Sequence, residues 1–182
     1  RRHLQAIEGL LRSEKPQGEI DLPKGLVVGR SYEKLIFRII KEAQHIRIFK
    51  KIPSPGTYGI REANMRITLK QREWRPGGRL DVSPLNAWLD AGKVRFPLTL
   101  RSILPGDRFI PLGMKGHRKV KDFLIDLKVP REERARILLL LSRDTIAWVC
   151  GYRVDDRFKV AGGTKRVLEV RLESPRGTDV GL

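Results

Sequence analysis

Hydrophobic residues recur at a helical period in two parts of the chain. Near the N terminus, apolar positions three or four residues apart predict a helix over residues 1–12. A short segment with Pro and Gly follows it, so we interpret residues 1–17 as the end of a helical region or a linker. A second amphipathic helix is predicted to begin near Val120, and its apolar face consists of Val120, Phe123, Leu124 and Leu127.

Between these two helices the pattern changes to short strands. The segments are apolar, rich in β-branched residues, or alternate between apolar and polar positions, and turn residues separate them. They predict a small, mostly antiparallel β region over residues 18–93. The predicted strands cover residues 19–23, 26–28, 35–40, 46–49, 58–60, 65–71, 80–82, 87–90 and 94–100.

The C-terminal part, residues 94–173, mixes strands and helices. A strand leads into a turn, a short extended segment, a basic loop with two glycines, and the second helix. A helical turn after Pro130, a hairpin over 136–150 and a last strand over 165–172 complete it, and the tail 174–182 is predicted to fray. The predicted fold class is therefore α+β, with a small β region followed by a compact α+β C-terminal domain.

Charge is the strongest global property of the sequence. Lys and Arg number 38 against 21 Asp and Glu, a net charge of +17 that is spread over both halves of the chain. A folded protein this basic usually binds a polyanion, most often nucleic acid. No apolar run approaches the roughly 18 residues of a membrane span, and no membrane partner is predicted. The single cysteine, Cys150, lies in an apolar run and excludes a disulfide framework, which fits a reducing cytoplasm.

The sequence contains no recognisable catalytic or cofactor motif. It has neither a Walker loop nor a glycine-rich dinucleotide fingerprint, and its three histidines lack a second ligand at metal spacing. A triad of Ser102, Asp107 and His117 has no supporting motif. The pair Asp155-Asp156 could bind a metal, but two adjacent acids in a loop are usually solvated or paired with neighbouring Arg153 and Arg157. We therefore predict no enzymatic activity, metal or cofactor for this chain by itself.

A cluster of bases surrounds the second helix. Arg118, Lys119 and Lys121 lie in its predicted first turn, where the helix dipole disfavours cations, and an anion such as phosphate would fit there. Phe109 is the one aromatic residue near the loop in sequence, which favours a phosphate backbone or a stem over unpaired bases. The predicted nucleic-acid-binding residues are Arg101, Arg108, Lys115, His117, Arg118, Lys119, Lys121, Arg131 and Arg134.

The same stretch resembles the C-terminal domain of bacterial tRNA(Ile)-lysidine synthases. The resemblance lies in LR, PGDRF, PLGM, KVKDFLID and VPR between Leu100 and Arg131, and in IAWVCG from Ile146, followed by Arg153 and Arg157. The IDLP and WLDA motifs upstream, at residues 20–23 and 88–91, are also similar to the middle region of that family.

This resemblance implies that the parent protein is a cytoplasmic, ATP-dependent ligase that joins lysine to the wobble cytidine of AUA-decoding tRNA(Ile). In the family, a separate N-terminal domain with a PP-loop of the form SGGxDS carries the catalysis with ATP and magnesium, and this chain lacks that loop. The chain begins without Met, so we expect a fragment that binds the acceptor stem of tRNA(Ile). The alternatives are a general non-enzymatic nucleic-acid-binding module and a structural or oligomerisation domain, and a homodimer is compatible with the sequence.

Overall fold

The chain forms two compact units, Arg1–His45 and Ile46–Leu182. The structure is a computed structural model. It describes residues 2–13, 17–23, 26–39, 47–75, 77–78, 80–81 and 83–173. In these ranges, no helix is long and apolar enough to cross a membrane.

The first unit contains one helix and a small antiparallel sheet. The helix α1 spans Arg2–Arg12, and the strands β1 (Gln17–Leu22), β2 (Leu26–Ser31) and β3 (Lys34–Ile39) pair in that order. The guanidinium of Arg30 donates hydrogen bonds to three backbone carbonyls at the C-terminal end of α1, 2.7–3.1 Å away. Those carbonyls have no partner within the helix, so the Arg30 side chain fixes the helix end to the sheet.

The second unit contains two larger sheets. Its helices are α2 (Val120–Asp126) and α3 (Arg131–Arg134). One sheet has the strand order β13-β12-β11-β8-β4, the other has the order β5-β6-β14-β7, and β9 and β10 form a separate pair. The strands are β4 (Phe49–Ile52), β5 (Gly56–Ile60), β6 (Met65–Glu73), β7 (Asn86–Asp90), β8 (Leu98–Ser102), β9 (Arg108–Phe109), β10 (Arg118–Lys119), β11 (Leu138–Ser142), β12 (Thr145–Val149), β13 (Arg153–Val154) and β14 (Arg166–Glu173).

The strands β11 and β12 of the five-stranded sheet are buried on both faces. Leu138 and Leu140 of β11 pack in a core that also contains the inward residues of the four-stranded sheet. Leu139 and Leu141 alternate to the other face and pack in a second core with α2. This arrangement explains the unbroken apolar run of β11, since both sets of alternating side chains need apolar surroundings. The structure confirms the α+β class.

The two units do not divide at the predicted boundary between residues 93 and 94. β4 pairs with β8, and β6 and β7 lie on the two sides of β14, so strands from both sides of that boundary share the same sheets. The division lies between residues 45 and 46 instead. Local patterns show where strands form, but they do not show which distant strand each will pair with.

Most predicted elements are present among the described residues, with some differences in position. The N-terminal helix and the hairpin of β11 and β12 are confirmed. The strand predicted over residues 46–49 lies at Phe49–Ile52, where it pairs with β8, and Leu80 and Asp81 belong to no strand. The tail 174–182 lies outside the described residues.

Candidate nucleic-acid interface

The turn before β9 is held by the carboxylate of Asp107. Its two oxygens accept hydrogen bonds from the Arg101 guanidinium at 2.7 and 2.8 Å, and one of them also accepts from the backbone N–H of Leu104 at 2.7 Å. The backbone carbonyl of Asp107 accepts from the N–H of Val120, the first residue of α2. Gly106 adopts φ 89°, which a residue with a Cβ would adopt only with strain. One acid therefore links β8, the turn and the start of α2.

Beyond this turn, β9 and β10 form a two-residue antiparallel ladder. Arg108 pairs directly with Lys119, and Phe109 pairs with Arg118. Arg108 and Lys119 are both exposed, and neither makes an ion pair with another described residue. Side chains directly opposite in such a ladder lie about 4.5–5.5 Å apart at Cβ, and like charges there are destabilising. A bound anion would remove this repulsion.

Phe109 anchors the ladder to the second core. It is fully buried, and its ring meets that of Phe123 edge-on, with the centroids 5.1 Å apart. Val120 and Leu124 of α2 are also fully buried. The fourth residue of the predicted apolar face, Leu127, is exposed at the end of the helix. The alternation along β9 thus buries Phe109 and leaves Arg108 facing solvent.

The structure corrects the predicted position of two bases. Arg118 and Lys119 were assigned to the first turn of the helix, but they form β10, and α2 begins only at Val120. Arg118 forms an ion pair with Asp126 at the other end of α2. Of the three bases only Lys121 lies in the helix, so the exposed charge is presented mainly by the strand pair. The signal for β10 was missing from the sequence because two residues are too few for a periodic pattern.

The basic loop is fixed at its base by the two acids that follow β13. Asp155 accepts a hydrogen bond from the N–H of Ile110 at 2.8 Å, and Asp156 accepts one from the N–H of Gly113 at 3.0 Å. The N–H of Gly113, followed by the Lys159 ammonium, lowers the pKa of Asp156 below its ordinary value. Both ends of the segment 110–113 are therefore held by carboxylates, while the loop beyond it is exposed.

Asp155 is paired, as the common arrangement for such acids predicts. Its side chain is fully buried and accepts two hydrogen bonds from the Arg157 guanidinium, each 2.8 Å long. The bond to Asp155 raises the pKa of Arg157. In the described part of the chain no group of three or more His, Cys, Asp or Glu side chains could hold a metal ion. Among the described residues, Asp155 and Asp156 therefore have no third side chain of these types with which to bind a metal ion.

The predicted binding residues fall into two groups. In the first group, Arg101 forms an ion pair with Asp107, and Arg118 forms one with Asp126. Arg131 also interacts with another group, and Arg134 lies half-buried on α3, next to two glutamates of the same helix. The others are exposed and make no ion pair with a described residue. We call these the basic segment, and its members are Arg108, Lys115, His117, Lys119 and Lys121.

The imagined triad is not formed. The Asp107 carboxylate binds Arg101 and the Leu104 amide, while the Ser102 hydroxyl accepts from the N–H of Ile48. His117 is exposed and bonds to neither residue. These three residues therefore lack the hydrogen-bond chain that nucleophilic catalysis requires.

The exposure of one aromatic residue is not evident from the sequence. Phe49 is the last residue of the strand predicted over residues 46–49, and 66% of its surface is exposed in the structure. The ammonium of Lys51 lies 5.6 Å from the centre of its ring. The pairing of β4 with β8 brings Phe49 opposite Arg101, about fifty residues later in the chain. No local pattern could show this proximity.

The sequence of the second unit and its fold both match a known domain class. Residues 98–172 match the family model of the TilS substrate C-terminal domain. A solved structure, described as the crystal structure of a TILS C-terminal domain, has a TM-score of 0.59 at 24% identity and covers 71% of this chain and 98% of its own. That likeness shows the fold alone.

Sequence relatives extend the match beyond this domain. The tRNA(Ile)-lysidine synthase of Geobacter sulfurreducens is 36% identical over 175 residues, covering 96% of this chain and 36% of that protein. The enzyme of the same name from Dehalococcoides mccartyi is 45% identical over 179 residues, covering 94% and 36%. The chain thus spans a little over a third of the length of these curated relatives. The resemblance to the C-terminal region of tRNA(Ile)-lysidine synthases is confirmed.

Proposed function

We propose that this chain is the tRNA-recognition part of a tRNA(Ile)-lysidine synthase and that its basic segment grips the acceptor stem of tRNA(Ile). The observation that supports this most directly is the pairing of Arg108 with Lys119 across the β9–β10 ladder. The two like charges are held side by side in the ladder, and neither side chain makes an ion pair with a described residue. Such a pair gains most when phosphates approach it, because each contact also releases condensed counterions.

This surface is better suited to bind an RNA stem than to read unpaired bases in a sequence-specific way. The basic segment offers Arg, Lys and His side chains, and the aromatic residues close to it along the chain, Phe109 and Phe123, are both buried. Helical RNA is recognised largely through its phosphates and 2′-hydroxyl groups, because its deep major groove is closed to side chains. Charged side chains on a strand pair held by buried residues can follow the regular spacing of a stem backbone.

We propose that the ligation itself takes place in a part of the parent protein outside this chain. The relatives are named as synthases, and this chain spans a little over a third of their length. The described residues contain no group of acids, histidines or cysteine suited to a metal ion. We therefore propose that ATP and magnesium act with that other part, while this chain holds the RNA. The compartment that fits this role is the cytoplasm, since tRNA is found there.

The double variant R108Q/K119Q tests the proposal. It removes both charges of the ladder pair and leaves a polar, uncharged side chain at each position. We expect affinity for tRNA(Ile) to fall about tenfold or more at about 0.1 M salt, and the slope of log affinity against log salt to decrease by about 2. A filter-binding or gel-shift titration at several salt concentrations measures both quantities.

A matched variant with the same charge change separates this site from general basicity. R66Q/K70Q removes two exposed bases from the outer face of β6, on the opposite side of the two-sheet sandwich. We expect it to change affinity much less than R108Q/K119Q does. Equal losses in the two variants would contradict a localised site, provided that both variants keep the circular dichroism and thermal transition of the original chain.

Competition distinguishes the general nucleic-acid-binding alternative. Unlabelled tRNA(Ile) should displace labelled tRNA(Ile) far better than duplex DNA with the same phosphate concentration. Equal displacement would favour a general binding module, and absence of any binding at low salt would favour a structural domain. Light scattering of the free chain and of the complex tests the homodimer, which stays a prediction.

A further inference from the structure

Phe49 is an exposed aromatic residue on an edge strand. Among the described strands, β4 pairs on one side only, with β8. The neighbouring apolar residues of this segment, Ile48 and Ile52, are buried, whereas Phe49 is 66% exposed. Burial of a phenylalanine side chain is favourable, so an exposed ring on a well-packed unit forgoes a sizeable stabilisation. The ring is available to a partner.

The register shows which face of the sheet carries Phe49. It lies directly opposite Arg101, and Arg101 in turn lies opposite Leu139 of β11. Residues directly opposite in an antiparallel sheet point to the same face. Leu139 packs in the second core, with α2 and Phe109. Phe49 therefore lies on the face of the five-stranded sheet that carries α2 and the strand pair of the basic segment.

A short chain of contacts connects Phe49 to that segment. Its cross-strand neighbour Arg101 donates two hydrogen bonds to Asp107, 2.7 and 2.8 Å long. Asp107 directly precedes Arg108 in the chain, and Arg108 pairs with Lys119. Arg101 and Asp107 are largely buried, with 14% and 11% of their side chains exposed, so this connection is fixed in position.

Lys51 gives the ring a positively charged neighbour. Its ammonium lies 5.6 Å from the ring centre and donates a hydrogen bond to the Thr99 hydroxyl, 3.1 Å away. Lys51 shares the face of Phe49 because both lie two residues apart on one strand. An aromatic ring beside a fixed cation is the combination that stacks a nucleobase and contacts its phosphate.

We propose that Phe49 and Lys51 form a stacking site for one unpaired nucleotide that extends from the RNA stem held by the basic segment. This proposal rests on the proposed function and adds to it a single-stranded subsite. An acceptor stem ends in a short unpaired 3′ extension, which supplies a nucleotide of this kind. The base stacks on the Phe49 ring, and the Lys51 ammonium contacts the adjoining phosphate.

A second copy of the chain is the competing occupant of this edge. Lys50 and Lys51 both lie on β4, and lysines on an edge strand oppose pairing with another strand. The high net positive charge of the chain adds to this repulsion between copies. The same charges attract a nucleotide, so the observations favour RNA over a second copy.

The test uses the whole chain and two hairpin RNAs with the same acceptor-stem sequence. One hairpin has an unpaired 3′ extension and the other is blunt. We expect the original chain to bind the extended hairpin about tenfold more tightly, within the range for one base–aromatic stack. F49L should remove this preference and leave affinity for the blunt hairpin unchanged, while F49W should retain it. A 2-aminopurine in the extension should be quenched on binding by the original chain and by F49W, but not by F49L.

The matched control is F37L, which makes the same change at an exposed phenylalanine of β3 in the first unit. It should keep the preference for the extended hairpin. The proposal is overturned if the original chain binds both hairpins equally, if F49L weakens both to the same degree, or if F49L changes the molecular mass in light scattering. Failure of both hairpins to bind the original chain overturns the proposed function itself, and with it this subsite.

Discussion

Asp107 and Asp155 hold the backbone just before and just after Arg108 of the basic segment. Asp107 binds one arginine and one backbone N–H, whereas Asp155 binds one arginine and the backbone N–H groups of Ile110 and Arg157, and each acid is largely or fully buried. These two acids therefore act inside the fold, while the unpaired bases face solvent. Their negative charges are satisfied by arginines and backbone amides and do not neutralise the exposed bases.

This division of roles predicts the effect of D155N on stability. The variant keeps the size of the side chain but loses the charge that accepts bonds from Arg157 and the Ile110 amide. We expect the free energy of unfolding to fall by about 2–3 kcal/mol, since a buried hydrogen-bonded charge is lost. Urea denaturation followed by circular dichroism measures the change.

The control for D155N is D144N, in the exposed turn between β11 and β12. It should alter the free energy of unfolding by less than about 0.5 kcal/mol. Adding magnesium or a chelator should leave the stability of the original chain unchanged. A marked stabilisation by magnesium that D155N abolishes would instead support a metal site at this acid.

At the scale of elements, the last strand of the fold determines how the four-stranded sheet is assembled. β14 lies between β6 and β7, and its outward residue Glu169 is almost fully buried. Burial raises the pKa of Glu169, but hydrogen bonds from Arg72 and Arg171, at 2.7 and 2.8 Å, outweigh it and lower the pKa below 4.5. Lys70 lies directly opposite on β6. The ionised carboxylate thus binds β14 to its neighbour.

The lowered pKa gives a defined pH dependence. Because the folded-state pKa lies below the unfolded one, the charge of Glu169 stabilises the fold fully above about pH 4.5, and this contribution is lost as the pH falls through the folded pKa. The difference in free energy of unfolding between the original chain and E169Q should therefore shrink below that pH. Denaturation curves between about pH 3 and 6 measure it. A difference that grows on acidification would contradict the role of the ion pairs.

The sequence predicted those elements whose hydrophobic pattern extends over several consecutive residues. The helix α1, the β11–β12 hairpin and the apolar face of α2 follow from periodicity, and the motifs around Asp107 supported the family resemblance. The two-residue strands β9 and β10 gave no periodic signal, so Arg118 and Lys119 were assigned to a helix. The partners of Asp107 and Asp155, and the position of Phe49, depend on pairing between distant segments, which short-range patterns do not encode.

For the whole molecule, the second unit begins near residue 45, so residues 98–172, the span of the family model, are not a complete structural unit. β14 would lose both neighbours in that fragment, since β6 and β7 precede residue 94. Its three inward residues, Leu168, Val170 and Leu172, are buried in the core that the two large sheets share. The solved TILS C-terminal domain likewise covers 71% of this chain, more than the span of the family model.

Two fragments test this division. Residues 46–173 should unfold in one cooperative thermal transition and give a dispersed NMR spectrum, because they retain both sheets and both cores. Residues 98–172 should do neither. Exposing the inward residues of β14 alone forgoes roughly 5–9 kcal/mol at 1.5–3 kcal/mol each, comparable to the entire 5–15 kcal/mol stability of a typical domain. If the shorter fragment folds cooperatively, the α2 side of the five-stranded sheet is stable without the four-stranded sheet, and the boundary near residue 93 describes the molecule better than the one at residue 45.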